Sequence, residues 1–280
     1  DYRDPMVIDR HRGTVRILYR YYQKRFLDRA DISFCVSDGL KSSLSKVNRK
    51  AKIYTIRNGF DEEDVESIKM EHNSYVFQKN KLILSYCGTL YAGKRDFSPL
   101  FSALSKLVTA GEIDIANIEM HYAGPDFALL SNMAQKYEVQ NILVNHAIIP
   151  RDKALNLTRN ADIALLASWN TKTSKGVITG KVYELFMMRK MILCFISGEI
   201  SNSELKVMIK GANAGYVYEQ ADSDMQSLED QLLKVYQTKM MGYKIVQQVN
   251  DNYIKQFSYD TIAEQINDII HRSWTSEKMP

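Results

Sequence analysis

The chain has 280 residues, 45% of them hydrophobic and 25% charged, which suffices for two compact lobes or one large one. Its formal net charge of +4 permits an anionic ligand or membrane surface without demanding either. Three widely spaced cysteines, Cys35, Cys87 and Cys194, lie inside apolar runs, which argues against a disulfide framework or a metal cluster. The longest apolar runs are far shorter than a membrane span, and no signal peptide is evident.

The segment before residue 60 predicts a strand end, a long helix and a short strand–helix–strand unit. Residues 1–7 look like the end of a strand followed by a loop, and a helix is expected over residues 12–29. Buried strands are expected over residues 31–37 and 52–56, with a short helix starting at Ser37 between them.

The helix expected over residues 12–29 carries a basic stripe. Its cations recur at a spacing of four: Arg12, Arg16, Arg20 and Lys24. Such a stripe is typical of a solvated helix that packs on its own domain, and it also fits an anionic membrane surface. Both interpretations stay open.

Residues 60–80 are polar and acidic with little periodicity, and they predict a linker. After them, short apolar strands alternate with helices, a pattern that predicts a parallel, doubly wound sheet. The expected strands are 82–87, 118–123, 142–145, 163–167, 191–196 and 215–218. The expected helices are 99–108 (with Ser98 as N-cap), 127–137, 152–159, 181–189 and 203–210, and residues 224–272 are expected to be helical to the end. Ligands of such sheets bind beyond the carboxyl ends of the strands, so the site is expected in the loops that follow them.

The loop after the first of these strands, residues 88–95, is rich in glycine and cations. It differs by one residue from a Walker A loop, because Arg95 stands where a Ser or Thr would hold magnesium. Since that hydroxyl is central to the P-loop mechanism, the sequence argues against a P-loop NTPase. A Gly-rich turn with Lys94 and Arg95 beside a strand end fits a diphosphate clamp, or else a plain loop with solvated cations.

Residues 174–189 predict a loop of small residues that opens a helix. The small or flexible residues of this loop are Ser174, Gly176, Thr179 and Gly180. Lys181 and Glu184 follow on one side of the helix. A helix start with a lysine suits a phosphate, and a carboxylate one turn further suits the hydroxyls of a ribose. The alternative is an ordinary helix start with a surface salt bridge between Lys181 and Glu184.

Other chemical motifs are absent from the sequence. No G-x-G-x-x-G fingerprint, metal-binding D-x-D motif or nucleophile triad is evident. His146 follows a predicted strand, where a single histidine is more often structural than catalytic. Nothing indicates nucleic-acid binding, because the basic stripe lacks an aromatic reading surface.

Taken together, these elements resemble the retaining glycosyltransferases of the GT-B fold, in the large group called family 4 or group 1. Residues 1–5 resemble the D-x-R-D-P-W segment that ends the acceptor-side domain, and residues 56–61 are similar to the interdomain signature. Residues 88–95 resemble the phosphate loop of the donor domain, and residues 180–185 resemble the start of its donor-binding helix. Further similarities cover residues 30–37, 121–124, 146–155 with 161–162, and 213–215.

The resemblance implies an α/β protein of GT-B type: a doubly wound parallel-sheet donor domain, plus the last βα elements of a second Rossmann-like domain. We therefore expect residues 1–60 to belong to the N-terminal acceptor-side domain and residues 61–80 to link the two domains. Residues 81–250 would form the C-terminal nucleotide-sugar domain, and residues 251–280 a helix that crosses back to the N-terminal domain. Because the family's acceptor domain has a long stretch before the D-x-R-D segment, we expect the chain to start inside the protein and to bind donor with little or no turnover.

The resemblance also implies roles for single residues. Glu184 matches the second glutamate of the E-x7-E motif and would bind the ribose, whereas the first glutamate falls on Gly176. Its sugar contact is therefore missing or supplied elsewhere. The implied catalytic residues are Lys94, Arg95 and Glu184, the two cations neutralising the leaving diphosphate. Donor contacts are implied for Gly88, Thr89, Ile148, Ser174, Thr179, Gly180 and Lys181, with Thr89 standing where the family has a phosphate-binding arginine.

The implied activity is transfer of a sugar from a nucleotide-diphosphate sugar to a hydroxyl with retention, in surface polysaccharide or glycan biosynthesis, without cofactor or metal. Expected partners are a nucleotide sugar and a glycan or lipid-linked acceptor, with peripheral membrane contact through helix 12–29 and no nucleic acid. The expected location is the cytoplasm or the inner face of the membrane. Two alternatives stay open: a nucleotide-sugar epimerase of the same fold, and a non-catalytic nucleotide-sugar-binding protein, which Gly176 supports.

Overall fold

Short apolar strands build two parallel sheets, each flanked by helices. The computed structural model describes residues 1–4, 6, 12–64, 75 and 77–277, with side chains through residue 274. In the smaller sheet, β1 (Ser33–Cys35) pairs with β2 (Ile53–Thr55). Helices α1 (Gly13–Arg29) and α2 (Asp38–Val47) pack against this sheet. The core of this lobe is formed by Leu27, Cys35, Leu40, Leu44 and Ile53.

Helix α1 exposes most of its length. Its buried side chains are Gln23 and Leu27, whereas the basic stripe faces solvent. Large apolar side chains are exposed as well: Val15, Ile17, Leu18, Tyr19, Tyr21, Tyr22 and Phe26. Membrane contact through this helix therefore stays a prediction, because exposure alone does not say what covers the helix.

The larger sheet has six parallel strands in the order β5-β4-β3-β6-β7-β8. They are β3 (Leu82–Cys87), β4 (Ile118–Ala123), β5 (Leu143–Asn145), β6 (Ile163–Trp169), β7 (Ile192–Ser197) and β8 (Gly215–Glu219). The chain runs outward from β3 to β5 and then returns to the other side of β3. The strand order thus reverses between β3 and β6, and in such sheets a ligand crevice opens at that point.

Helices cover both faces of the larger sheet. They are α3 (Ser98–Thr109), α4 (Phe127–Gln135), α5 (Arg151–Asn160), α6 (Lys181–Met187), α7 (Glu204–Gly211), α8 (Met225–Met240), α9 (Asp251–Lys255) and α10 (Tyr259–Glu277). One core packs α3, α4 and α8 on the sheet, and the other packs α5, α6, α7 and α9. The expected α/β class with a doubly wound parallel sheet and a second, smaller sheet is confirmed.

Two local predictions are wrong. Ser98 is not the N-cap of α3: Phe97 holds that position, and the Asp96 carboxylate accepts the Ser98 N–H instead. Residues 224–272 are not helical throughout, because α8 ends at Met240 and an irregular segment precedes α9. That segment folds back on the turn after α7, where Asn213 donates to the Gln248 carbonyl.

The segment at residues 58–60 joins the smaller lobe to the C-terminal helices. The Phe60 N–H donates to the Phe257 carbonyl, and the Tyr259 N–H donates to the Phe60 carbonyl. Of the linker predicted over 61–80, residues 65–74 and 76 lie outside the described residues. The domain boundaries stay predictions.

His146 forms a polar cluster with residues of β4. Its Nε2 lies 2.8 Å from His121 Nδ1, and His121 Nε2 lies 3.0 Å from a Glu119 oxygen. The neutral tautomers that satisfy both contacts let His146 donate to His121 and His121 donate to Glu119. Lys81 also donates to Glu119 at 2.8 Å. Burial lowers the pKa of both imidazoles, and the His121 charge lowers that of His146 further.

Acid is expected to destabilise the fold through this histidine pair. Both folded-state pKa values lie below the ordinary 6.5, so the unfolded chain binds more protons once the pH falls below that value. The stabilisation is fully present above pH 6.5 and is lost as the pH falls. The free energy of unfolding in urea should be measured at about pH 7.5 and about pH 5.5. Between these two values it should fall more for the wild type than for a His121→Gln/His146→Gln variant. Equal pH dependence in the two proteins would contradict a role for the pair.

Candidate functional site

A cavity of about 400 Å³ opens where β3 and β4 end. Its rim includes Gly88 and Gly124, which directly follow those strands. Arg151, Lys181 and Glu184 contribute its charged groups. The remaining wall is mostly apolar, including Ile148, Ile149, Ala154, Leu155, Leu165, Leu166, Leu185 and Met188. An apolar chamber with a few charged groups at one side suits a flat ring that carries a polar, anionic extension.

Gly88 lets the lysine of α6 lie across the end of β3. Its φ of +147° belongs to the range that favours glycine, and a Cβ there would lie 2.8 Å from Lys181 Cε. The lysine therefore covers the loop that begins at Gly88, which places its positive charge beside the cavity.

Glu184 faces the cavity from the first turn of α6, where it pairs with a residue that the sequence did not single out. Arg151, the first residue of α5, donates to Glu184 Oε1 from Nε and Nη2 at 3.2 and 3.1 Å. Its Nη2 also lies 3.6 Å from Asp64. The alternative interpretation of the sequence expected a salt bridge between Lys181 and Glu184. The described ion pairs do not include it, because Glu184 pairs with Arg151. Arg151 thus orients the Glu184 carboxylate.

Arg95 is buried, with 7% of its surface exposed. Its Nη1 donates to the Thr89 carbonyl at 3.0 Å and to the Tyr86 hydroxyl at 3.3 Å, and its Nη2 lies 3.4 Å from Thr179 Oγ1. Its Nε is buried without a partner. Within the described residues, no carboxylate pairs with this guanidinium, although buried cations are normally paired. A buried, uncompensated cation favours an anion nearby.

Aromatic rings shield this cation. The Arg95 guanidinium carbon lies 4.6 Å from the centre of the Tyr91 ring. Tyr91 in turn packs against Trp169 at the end of β6, with ring centres 5.6 Å apart. Ring faces attract cations, so the pair stabilises the charge without neutralising it. Burial raises the pKa of Tyr86 to about 12, so this phenol stays protonated and donates to Thr89.

The other cation of the loop, Lys94, differs from Arg95 in its exposure, although both approach the Trp169 ring. Lys94 is exposed, and its ammonium group lies 5.2 Å from the Trp169 ring centre. It does not line the cavity. Of the two neighbouring cations, Arg95 is the one directed toward Thr179 and the start of α6.

Beyond Arg95 lies the start of α6. Thr179 is buried, whereas Gly180 is exposed at the N-cap position without a side-chain hydrogen bond. In the described part of the chain, no acceptor pairs with the backbone N–H groups of Gly180 and Lys181. Arg95 Nη2 reaches Thr179, the residue directly before these two donors.

The structure brings most of the predicted donor contacts together. Gly88, Ile148, Lys181 and Glu184 line the cavity. Arg95 contacts Thr89 and Thr179, and Gly180 follows Thr179 at the N-cap of α6, on a second cavity that shares Arg151 and Glu184 with the first. Lys94 and Ser174 do not line the cavity. The Ser174 backbone N–H donates to Thr171 Oγ1 within its own loop.

Position 176, where a sugar-binding glutamate was expected, is tightly packed. Gly176 has φ +71°, and a Cβ there would lie 2.6 Å from Glu204 Oε1 and 3.0 Å from Gly39 Cα. Glu204 belongs to α7, and its carboxylate accepts the N–H groups of Asp38 and Gly39 at 2.9 and 2.6 Å. A side chain at position 176 would collide with this contact between the two lobes.

The described residues contain neither a membrane-spanning helix nor a cluster of metal ligands. No helix among them has the length and apolarity needed to cross a membrane. No set of three or more His, Cys, Asp or Glu side chains among them is arranged to hold a metal ion. The predicted absence of a metal requirement stays a prediction.

Comparison with known proteins shows the fold. No protein-family profile and no curated protein sequence matches the chain. Sucrose-phosphate synthase from Thermosynechococcus elongatus matches 96% of the chain over 65% of its own length, with 11% identity and a TM-score of 0.63. The lipopolysaccharide outer core galactosyltransferase WaaB matches 96% over 67% of its length, with 14% identity and a TM-score of 0.58. The pneumococcal O-GlcNAc transferase GtfA, solved with UDP and GlcNAc, matches 92% over 48% of its length, with 14% identity and a TM-score of 0.55.

The architecture of the chain matches part of the GT-B fold of these glycosyltransferases, so the expected fold type is confirmed. The chain spans between about half and two thirds of the length of the structures that it matches. Identities this low establish the architecture and leave the substrate and the reaction to the residues of the site.

Removing the Arg95 charge is expected to change the stability of the protein little when no ligand is added. Arg95→Met keeps the side-chain length, deletes an uncompensated buried cation and leaves the Thr89 carbonyl bonded to Tyr86. The free energy of unfolding should stay within about 1 kcal/mol of the wild type. In Arg57→Met, by contrast, Asp38 and Glu204 lose a cation at 2.9 and 3.1 Å, and a loss of about 2 kcal/mol is expected. Urea denaturation measures both, and a larger loss for Arg95→Met would show that Arg95 is structural.

Proposed function

We propose that this chain binds a nucleotide-diphosphate sugar and forms the donor side of a retaining glycosyltransferase. The observation that carries the proposal is the buried Arg95 cation, which lacks a carboxylate and faces the start of α6. It lies next to a cavity that has Glu184 on its wall. A nucleotide sugar presents a ring, a diol and a diphosphate in that order, and the site offers a matching series of groups.

The nucleoside occupies the cavity in this proposal. Ile148 is 76% exposed at the rim, where an apolar side chain can lie against the face of a flat base. Glu184 accepts hydrogen bonds from the two ribose hydroxyls, because each oxygen of an ionised carboxylate is an acceptor. Arg151 already holds this carboxylate in place, so little side-chain freedom is lost when the ribose binds.

The diphosphate occupies the region between Arg95, Lys181 and the start of α6. When the bond between the sugar carbon and the phosphate oxygen breaks, negative charge develops on the leaving diphosphate. Arg95 and the backbone N–H groups of Gly180 and Lys181 are fixed before the reaction, which is the arrangement that stabilises developing charge most effectively. Arg95 thus takes the role that the family gives to an arginine at position 89, and Lys94 contributes less than was expected from the sequence.

The reaction itself is proposed for the whole protein, since the chain spans only part of the glycosyltransferases that it resembles in fold. GtfA was solved with UDP and GlcNAc, and an Anabaena HepE structure with 13% identity and a TM-score of 0.55 contains UDP and glucose. These ligands make UDP-sugars the first candidates for the donor. The acceptor is proposed to be a hydroxyl of a glycan or of a lipid-linked glycan.

A screen of nucleotide sugars by thermal unfolding tests the proposal. UDP-glucose, UDP-N-acetylglucosamine, GDP-mannose, ADP-glucose and a CMP-sugar are compared at saturating concentrations. A ligand at about a hundred times its Kd should add about 2.7 kcal/mol to the free energy of unfolding. Glu184→Ala and Arg95→Met should abolish that gain, and Lys94→Ala should retain most of it, because Lys94 is exposed and makes no described hydrogen bond to the start of α6, whereas Arg95 reaches Thr179.

Glu112→Ala is the matched control, because it removes an exposed carboxylate from the connection that leads into the start of β4, whereas the cavity lies beyond the end of that strand. It should respond to the ligand as the wild type does. If none of the nucleotide sugars stabilises the wild type, the proposed function is wrong. If Lys94→Ala loses the response and Arg95→Met keeps it, the two cations have been assigned the wrong way round.

A further inference from the structure

Resting on the proposed function, we infer that Ser85 forms a hydrogen bond with the edge of the nucleobase and sets which base the cavity accepts. Ser85 lies inside β3 and belongs to none of the sequence motifs. It lines the cavity, it is 1% exposed, and its hydroxyl oxygen is buried without a hydrogen-bond partner among the described residues. Because buried polar groups are normally paired, an unpaired one on a cavity wall indicates a ligand group that pairs with it.

The cavity extends below the ends of the strands. Cys87 is the last residue of β3, and Ser85 lies on the same face of that strand, two residues further in. At about 3.3 Å per residue, the two positions are roughly 7 Å apart along the strand. We call this deep end of the cavity the inner chamber; its lining includes Ser85, Cys87, Ala154, Thr158, Leu185 and Met188.

Small side chains keep the inner chamber open. Ala164 of β6 lies in register with Ser85 on the neighbouring strand. Helix α5 packs on this face of the sheet and lines the cavity with Ala154 and Thr158. Large apolar side chains normally fill the space between a helix and a sheet, because protein interiors are close-packed. Small residues on both sides leave a gap here, which suits a flat heterocycle.

Two other polar side chains of the inner chamber already have partners in the protein. Thr158 Oγ1 donates to the Ala154 carbonyl at 2.9 Å. Cys87 Sγ lies 3.6 Å from both Thr158 Oγ1 and the Ala154 carbonyl oxygen. Burial raises the pKa of the Cys87 thiol, so this group stays protonated and uncharged. The Ser85 hydroxyl, by contrast, remains available to a ligand.

The position of the ribose determines which part of the base lies near Ser85. Helix α6 connects the parallel strands β6 and β7, so it runs back in the opposite direction to them. Glu184 in its first turn therefore lies nearer the rim, and Leu185 and Met188 follow toward the inner chamber. A base joined to a ribose at Glu184 directs its far edge inward. Carbonyl and amino groups on that edge distinguish one base from another.

Ser85 selects a base by the position of its edge group. A hydroxyl can donate or accept, so it pairs with either a carbonyl or an amino group. Strand β3 is held between β4 and β6, where His121 and Ala164 lie in register with Ser85, so the point at which that group must lie is fixed. A base that places no polar group there leaves the buried hydroxyl unpaired, which lowers its affinity.

Calorimetric titration with UDP, CDP, ADP and GDP tests this inference. For the diphosphate that the wild type binds most tightly, Ser85→Ala should weaken binding about tenfold, and for the others less than about threefold. The preference among bases should therefore shrink. An equal loss for every base, or no loss for any, would overturn the inference and leave the proposed function in place. If the wild type binds neither these diphosphates nor the nucleotide sugars, both fail together.

Stability and affinity should change in opposite directions. With no ligand added, Ser85→Ala should unfold at the same urea concentration as the wild type or at a higher one, because it deletes a buried hydroxyl without a partner. Ser203→Ala is the matched control, since Ser203 is also buried but accepts the Lys206 N–H at 3.2 Å as the N-cap of α7. It should unfold at a lower urea concentration and bind every diphosphate as the wild type does. A loss of stability in Ser85→Ala would overturn the inference, because it would show that the hydroxyl is bonded within the protein.

Analogues of the preferred diphosphate give a readout that does not depend on the stability of a variant. Each analogue lacks one polar group on the edge of the base that lies away from the ribose. One of them should bind the wild type about tenfold more weakly than the parent diphosphate and bind Ser85→Ala as well as the parent does. If the wild type binds every analogue as tightly as the parent, Ser85 does not contact this edge and the inference is wrong.

Discussion

The guanidinium of Arg95 lies inside the protein beside oxygens and rings that carry no full charge. The Thr89 carbonyl, the Tyr86 hydroxyl and the Tyr91 ring replace part of the water that this cation would otherwise bind, but none of them carries a negative charge that would compensate it. These groups hold the Arg95 side chain in one orientation and do not neutralise its positive charge. The fold determines where Arg95 lies, because the reversal of strand order between β3 and β6 brings the loop that carries Arg95 against the start of α6.

The sequence departs from the glycosyltransferase pattern that it resembles at positions 89 and 176, and a charged side chain from elsewhere in the chain lies near each of them. Position 89 has a threonine in place of an arginine, and the side chain of Arg95 reaches the Thr89 carbonyl. Position 176 has a glycine in place of a glutamate, and the carboxylate of Glu204 lies beside it. In both cases, a charged group from another position of the chain enters the neighbourhood of the replaced residue. This is why missing motif residues do not by themselves argue for a non-catalytic protein, since chemistry depends on where groups lie in space.

Much of the fold follows from the sequence because alternation of apolar strands and helices is a local signal. Strands β3 and β4 begin and end where the pattern predicts, and the order of the glycine turns locates the cavity. The contacts that were missed join residues far apart in sequence: Arg151 with Glu184, and Glu204 with Gly39. Neither pair has a spacing rule, since the partners meet only once the helices pack. The Ser98 cap failed for a local reason, because Asp96 competes for the same helix end and its carboxylate is a stronger acceptor.

The most direct test is a crystal structure of this chain with a nucleotide sugar that stabilises it. The diphosphate oxygens should lie within hydrogen-bond distance of the Arg95 guanidinium and the backbone N–H groups of Gly180 and Lys181. The ribose hydroxyls should contact Glu184, with the base in the cavity beside Ile148. A nucleotide bound elsewhere, or a diphosphate placed on Lys94 with Arg95 untouched, would contradict the assignment of the buried arginine as the phosphate-binding cation.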